Sequence, residues 1–107
     1  MDRRVERVIE TMKYSLSARL SEQIMARGVN LSAARLRELF KQETGLSPIQ
    51  YLRRLRAERA AYLLQTSFLS VKEVAFHTGS GDVSHFVRNF KKEYGVTPRK
   101  FRLRAQR

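Results

Sequence analysis

Apolar residues recur along this chain at spacings of three and four, the period of an α-helix. The pattern is clear near the N-terminus, where Val5, Val8, Ile9 and Met12 share one face behind a capping residue, Asp2. No segment shows the sustained alternation of apolar and polar residues that marks a half-buried strand. The pattern predicts an all-α protein of about seven helices.

The longest predicted helix lies in the middle of the chain, from Ser47 to Gln65. Ser47 suits the N-cap, Pro48 suits a first helical position that needs no amide donor, and Gln50 can complete a capping box. Residues that favour turns follow Gln65. At 1.5 Å per residue, this helix is about 27 Å long.

Two segments flanking the central helix repeat each other. Residues 40–48 read FKQETGLSP and residues 90–98 read FKKEYGVTP, with five of nine positions identical at an offset of 50. In each copy an amphipathic helix ends at a glycine, Gly45 or Gly95, that suits a left-handed C-cap. A new helix then begins at Ser-Pro or Thr-Pro. The chain therefore contains two copies of one structural unit.

Residues 22–41 follow the spacing of a helix-turn-helix, in which a short helix, a tight turn and a longer helix meet at a steep angle. The small residue Ala26 falls where the helices cross, Asn30 can take a positive φ in the turn, and Ser32 can cap the second helix. The wedge between the helices is predicted to be filled by apolar residues, namely Met25, Val29, Leu31, Leu36 and Leu39.

The second copy begins with a capping box from Ser70 to Glu73, and its turn contains Gly79 and is one residue longer. Asp82 caps the following helix, and Thr97 opens a last short helix. The residues of this copy that we expect to point inward are Phe86, Phe90 and Tyr94. These features predict two helix-turn-helix subdomains, residues 1–47 and 66–107, joined by a linker helix over residues 48–65.

Charge narrows the choice of partner. Lys and Arg number 22 against 10 Asp and Glu, so the net charge is +12 and favours polyanions such as nucleic acid or anionic lipid. The chain has no cysteine, which excludes disulfides and thiol chemistry. It also lacks an apolar run long enough for a membrane span and lacks an N-terminal secretory signal. These features favour a cytoplasmic protein without membrane contact.

Catalytic and metal sites have little support in the sequence. His77 and His85 are eight residues apart and lie in different predicted helices, so they lack the spacing of a helical metal pair. No nucleophile, base and orienting group recur at useful spacing, and no glycine-rich phosphate loop is present. We therefore expect no enzymatic activity, metal or cofactor.

The second helix of a helix-turn-helix enters the DNA major groove, so bases meet the face opposite the core. Arg37 and Arg88 can read guanine O6 and N7, Glu38 can accept from cytosine N4, and small apolar side chains can lie against a thymine methyl. The alternative to base reading is that these two arginines are solvated or bind a DNA phosphate. The candidate base contacts are Ala33, Ala34, Arg37, Glu38, Val83, Ser84, Val87 and Arg88.

Phosphate oxygens favour the free amides at helix N-termini and the basic side chains beside them. Arg53 and Arg54 on the central helix are further candidates, although any one of these residues can also be plain surface charge. The main candidate phosphate contacts are Ser32, Arg35, Lys41, Ser47, Ser70, Lys72, His85, Lys91, Lys92, Thr97, Arg99 and Lys100.

The chain resembles the DNA-binding domain of the AraC/XylS family of bacterial transcription regulators from about Val5 to Arg102. The more specific match is VKEVAFHTGSGDVSHFVRNFKKEYGVTPRKFR, residues 71–102, and LRELFKQETGLSPIQYLRRLRAERAAYLL, residues 36–64, resembles the family's first unit and linker helix. The resemblance implies two recognition helices in successive major-groove segments of promoter DNA. It also implies transcription regulation, usually activation through contact with RNA polymerase.

Two positions depart from the family pattern. Ser80 and Gly81 stand where the family often has Phe or Tyr after the turn glycine, so the second unit is expected to be looser, or filled by Phe68 or Phe76. Glu38 stands where the family favours Arg, which casts doubt on base reading there. Glu38 is instead expected to form an ion pair with either Lys41 or Lys92.

Members of this family usually carry a separate ligand-sensing or dimerisation domain. The chain is therefore expected to be either a stand-alone regulator or the C-terminal fragment of a larger one. Two rival functions remain open. A basic helical module could bind an acidic protein or lipid, or it could bind nucleic acid without sequence preference.

Overall fold

The computed structural model of the protein describes residues 1–105. Seven helices and no strand occur within this range, as the sequence pattern predicts. The helices are α1 (Arg3–Tyr14), α2 (Glu22–Arg27), α3 (Ala33–Thr44), α4 (Pro48–Thr66), α5 (Val71–His77), α6 (Val83–Tyr94) and α7 (Pro98–Ala105). None of the helices in the described range is long and apolar enough to span a membrane.

The chain forms two compact units, Met1–Arg53 and Arg54–Arg107, whose boundary falls inside α4. In the first unit α4 contributes Tyr51, whose ring meets Phe40 edge-on at 5.3 Å. In the second unit α4 contributes a buried stripe to the core, namely Ala60, Ala61 and Leu64. Packing therefore shares α4 between the units, and the functional division at residues 47 and 65 stays a prediction.

The first unit is built from α1, α2 and α3, which all contact one another. The predicted face of α1 is buried, and Asp2 caps the helix by accepting from the amide of Arg4. The backbone amide of Asp2 also donates to Glu43 Oε1 at 2.7 Å, which ties the start of α1 to α3. The largest fully buried side chains of this unit are Met12, Leu36, Phe40 and Leu52.

The second unit packs α5, α6 and α7 around a core that includes Val74, Ala75, Phe86 and Phe90. The Phe90 ring stacks on Tyr94 at 4.7 Å between centroids. Tyr94 is 37% exposed, so its predicted inward orientation is wrong in part. The tyrosine covers the edge of the core and leaves one side in solvent.

The helix ends confirm the predicted capping chemistry. Ser32 accepts from the amide of Arg35, and Asp82 accepts from that of His85. Ser47 and Gln50 form the reciprocal hydrogen bonds of a capping box at the start of α4. Both C-caps predicted to be left-handed have φ near 80°, at Gly45 and Gly95.

The two helix-turn-helix turns share a residue of positive φ followed by an equivalent backbone hydrogen bond. Asn30 has φ of 58° and the next amide, that of Leu31, donates to the carbonyl of Ala26 at 2.9 Å. In the second unit Gly79 has φ of 86° and the amide of Ser80 donates to the carbonyl of Ala75 at 2.9 Å. The predicted extra residue is Gly81, because the two copies are offset by 49 up to Ser80 and by 50 from Asp82 onwards.

The expectation that Phe68 or Phe76 fills the position left by Ser80 is wrong. Both phenylalanines are exposed, since Phe68 lies in the connection before α5 and Phe76 on the outer side of α5. Ser80 is half-buried and its hydroxyl donates to the carbonyl of Asp82 at 3.0 Å. The turn is thus closed by a short polar contact where the first unit has the apolar residue Leu31.

Candidate nucleic-acid interface

Helix α3 turns its apolar residues into the first unit and leaves the opposite face open, because residues three and four apart share a face. Leu36, Leu39 and Phe40 are buried, and Ala33 is half-buried. The predicted contact residues that lie exposed on α3 are Ala34, Arg35, Arg37, Glu38 and Lys41. Their exposure is compatible with the predicted interface.

Two ion pairs organise this face. The Nε atom of Arg37 lies 3.3 Å from Glu22 Oε2 on α2, and Arg35 Nη1 lies 3.5 Å from Glu38 Oε2. The first pair joins the two helices of the helix-turn-helix, whereas the second stays within α3. The prediction that Glu38 pairs with Lys41 or Lys92 is wrong. Glu38 pairs instead with Arg35, which is one turn away on the same helix.

Helix α6 presents the equivalent face of the second unit. Ser84, His85, Arg88 and Lys91 are exposed, and Arg88 forms no ion pair within residues 1–105. Val83 is half-buried. Val87 is also half-buried and packs against the core of this unit, so its predicted outward orientation is only partly correct.

The hydroxyls at the predicted phosphate-contacting helix starts already act as caps. Ser32 accepts from the amide of Arg35 at 3.1 Å, and Thr97 accepts from that of Lys100 at 3.2 Å. A capping hydroxyl keeps its own proton, which can be donated to a phosphate oxygen. Ser47 is placed in the same way at the start of α4, where it accepts from Gln50. These three residues therefore remain able to bind phosphate.

The start of α5 differs because its capping box contains a carboxylate. The amide of Ser70 donates to Glu73 Oε1 at 3.0 Å and lowers the pKa of that carboxyl below its usual range. The carboxylate stays charged at neutral pH and repels a phosphate. Ser70 is thus the least favourable of the predicted phosphate contacts, and Lys72 beside it is exposed.

The remaining basic candidates all lie on the surface. Arg54 on α4 is held near α6 of its own unit, with Nε 3.7 Å from Glu93 Oε2, and Arg53 is exposed. The other exposed candidates are Lys92, Arg99 and Lys100. No group of three or more potential metal ligands occurs among residues 1–105.

A family model described as a helix-turn-helix domain matches residues 25–104, which cover parts of both units. The chain belongs to the AraC/XylS-type helix-turn-helix family. Among its relatives is the HTH-type transcriptional activator RhaS of Escherichia fergusonii, 37% identical over 101 residues. The match covers 94% of this chain but only 36% of RhaS, so the chain spans about a third of that relative.

Solved structures of two other proteins share the fold. The C-terminal domain of the response regulator yesN from Fusobacterium nucleatum superposes with a TM-score of 0.87 at 31% identity, covering 91% of this chain and 95% of that one. The DNA-binding domain of AdpA, solved in complex with a target DNA, gives a TM-score of 0.92 at 27% identity, covering 99% and 97%.

Sequence reasoning missed one surface of this AraC/XylS-type domain. A groove of about 460 Å³ lies beside the turn of the first unit, and it is lined by Gln23, Arg27, Asn30, Leu31 and Ala33. Arg27 places a cation in this groove beside the start of α3, where a phosphate oxygen would be favoured. The signal for this surface in the sequence is a basic residue, Arg27, at the end of the first helix of the motif.

Proposed function

We propose that the chain is a sequence-specific double-stranded DNA-binding domain of a bacterial transcription regulator. The observation that carries the proposal is the duplicated helix-turn-helix, in which α3 and α6 each bury an apolar face and expose a face with arginine and lysine. A net charge of +12 supplies the attraction for the DNA backbone. The likeness to the AdpA domain, which was solved with a target DNA, supports the same function.

Each recognition helix is assigned one major-groove segment, and the two segments follow each other along the duplex. Arg88 is the principal base reader of the second unit, because it is exposed and forms no ion pair within residues 1–105. In the first unit Arg37 reads a guanine, while Ala34 lies against a base edge or a thymine methyl. Lysines and capped helix starts around these residues hold phosphates.

Binding to duplexes of random sequence tests this proposal. Selection should recover a preferred site of about 15 to 20 base pairs that spans two groove segments. Affinity should fall steeply between 50 and 200 mM salt, because phosphate contacts release counterions. A protein-binding or lipid-binding module would not retain duplex DNA, and a non-specific nucleic-acid binder would return no preferred site.

A matched pair of variants separates base reading from general charge. Arg88→Ala should cost about 1 to 3 kcal/mol on the preferred site and relax the preference at one base pair. Arg104→Ala removes an equal charge from an exposed position on α7 and should leave the preference unchanged. Equal losses for both variants on all duplexes would leave only non-specific attraction.

The regulatory role is the second part of the proposal. The relative RhaS is a transcriptional activator, and the present chain corresponds to about a third of its length. We infer that this domain activates transcription in the cytoplasm through contact with RNA polymerase, and that a sensor or dimerisation domain works with it. Transcription in vitro from a promoter carrying the selected site would test this role, and repression or no effect would contradict it.

A further inference from the structure

One contact between the two helices of the helix-turn-helix is different in the two units. Glu22 is the first residue of α2 and Arg37 the fifth of α3, and they form the 3.3 Å ion pair. The corresponding residues of the second unit are Val71, the first of α5, and Val87, the fifth of α6. Both valines pack against the core of the second unit. Two apolar residues of the second unit thus occupy the positions of a charged pair in the first.

The shortest contact of this ion pair lies at the Nε edge of the Arg37 guanidinium. Glu22 Oε2 approaches Nε, and no group within residues 1–105 accepts a hydrogen bond from the two Nη atoms. Bidentate reading of guanine needs two parallel N–H donors directed at O6 and N7. The free Nη edge provides such a pair, while the contact at Nε restrains the side chain from behind.

The carboxylate is well placed to restrain the arginine. The Glu22 side chain is 23% exposed, whereas the Arg37 side chain is 54% exposed. The less exposed partner lies on α2, and the more exposed one projects from the outer face of α3. An arginine side chain has many rotamers, and ordering it before binding reduces the entropy lost when it contacts a base.

We propose that Glu22 is a positioning residue for DNA recognition, which holds Arg37 in the orientation that reads a guanine. This inference rests on the proposed DNA-binding function. The first unit therefore discriminates through a preordered arginine. The second unit discriminates through Arg88, which has no carboxylate partner within residues 1–105.

Glu22 has two effects of opposite sign on DNA binding. Its negative charge repels the phosphate backbone, so through charge alone its removal should keep or raise the affinity for any duplex. Its contact with Arg37 favours the correct base, so removing it should lower discrimination at that base pair. A residue that merely stabilised the first unit would not lower base discrimination while general affinity was kept.

The test uses Glu22→Ala, Arg37→Ala, the double variant and a control, Glu10→Ala. Glu10 is exposed on α1 and has the same charge, but it does not contact Arg37. Selection with the wild-type chain and with Arg37→Ala identifies the base pair that Arg37 reads. The measured quantity is the Kd for a duplex without the preferred guanine at that position divided by the Kd for the duplex that carries it.

Glu22→Ala should lower this ratio roughly 1.5- to five-fold, the range of an exposed ion pair. Binding to the non-preferred duplex should stay unchanged or become tighter. In the Arg37→Ala background, the substitution of Glu22 should not lower the Kd ratio any further. Glu10→Ala should leave the ratio unchanged. Glu22→Gln, which keeps the shape of the side chain and an acceptor oxygen, should lose less discrimination than Glu22→Ala.

Three results would overturn the inference. The ratio could stay unchanged in Glu22→Ala while only the melting temperature falls, which would make the pair a structural clamp. Second, the Kd ratio in Glu22→Ala could fall equally at the base pair read by Arg88. Third, Arg37→Ala could leave the base preference unchanged. In each case the wild-type chain still selects a site, whereas failure of the proposed function is a wild-type chain without any preferred site.

Discussion

The guanidinium of Arg102 on α7 caps the C-terminal end of α4, with Nε donating to the carbonyl oxygen of Leu64 at 3.0 Å. Its Nη2 also lies 3.4 Å from the carbonyl of Ser67. The last carbonyls of a helix have no partner within the helix and carry partial negative charge, so a cation there is favourable. The contact joins residues 38 apart in the second unit.

Replacing Arg102 by alanine should therefore destabilise the second unit. Hydrogen bonds from charged groups contribute about 1.5 to 3 kcal/mol, and the loss should lie near the lower end because Arg102 is only half-buried. Urea unfolding followed by circular dichroism measures the change. Arg104→Ala, at an exposed position of the same helix, is the control. Equal losses in both variants would show that the contact with Leu64 contributes nothing specific.

Thr78 is a buried polar residue in the turn of the second unit, at the position that Val29 occupies in the first. Its hydroxyl donates to the carbonyl of Val74 at 2.8 Å, and that carbonyl also accepts from the backbone amide of Thr78. Thr78→Val would remove the hydroxyl without leaving the carbonyl unpaired. We expect a change within about 1 kcal/mol, since replacing a hydrogen-bonded group by an apolar one of the same shape is often near neutral.

Thr78→Ala provides the comparison for this prediction. It removes the same hydroxyl and a buried methyl group as well, so it should cost more than the valine variant by about 1 kcal/mol. Chemical unfolding of both variants gives the two values. A valine variant destabilised as much as the alanine variant, by more than about 1 kcal/mol, would mean that the hydroxyl itself holds the turn.

Much of the fold follows from local signals. Capping residues such as Ser32 and Asp82, and the left-handed Gly45, specify helix ends through contacts within a few residues of themselves. The internal repeat then shows that the same joint occurs twice. The orientation of Tyr94 and the exposure of Phe68 were not predictable in this way, because they depend on which distant residues already fill the core.

The candidate site was predictable in its position but not in its contacts. Helical spacing placed Arg37, Glu38 and Arg88 on outer faces, as observed. The pairing of Arg37 with Glu22 crosses the turn, and it depends on how α2 approaches α3, which spacing alone does not give. The half-buried Val87 shows the same limit, since a residue at the edge of a helix face can turn to either side.

Ser80→Phe should raise the melting temperature. The apolar residue Leu31 occupies the equivalent position of the first unit, and neither Phe68 nor Phe76 covers Ser80. A gain of about 1 kcal/mol would raise the melting temperature by about 4 to 8 °C for a domain of this size. The variant loses the Ser80 contact with Asp82, so Ser80→Ala is the control for that loss. No rise relative to Ser80→Ala would show that the position is already filled.

Gly45 and Gly28 should respond oppositely to alanine. Gly45 has φ of 80°, where a Cβ is strained, so Gly45→Ala should cost about 1 to 2 kcal/mol. Gly28 has φ of −63°, and a Cβ there would meet its nearest atom, the carbonyl oxygen of Met25, at an ordinary 3.5 Å. Gly28→Ala should therefore stabilise the first unit by about 0.4 to 1 kcal/mol, through a less flexible unfolded chain. Thermal unfolding of the pair checks both signs, and a common sign would contradict the backbone explanation.

Glu38 has two candidate roles, as a reader of cytosine and as the ion partner of Arg35. The Arg35–Glu38 pair is exposed, so Glu38→Ala should change stability little. Because the substitution removes a negative charge from the proposed interface and releases Arg35, affinity for all duplexes should rise, as measured by titration at fixed salt. If Glu38 also reads a base, its replacement should in addition relax the preference at one base pair of the selected site. A general rise in affinity with an unchanged base preference would leave Glu38 as a charge regulator of Arg35 and not a base contact. The distant carboxylate variant Glu10→Ala is the control, and we expect it to give the same general rise in weaker form.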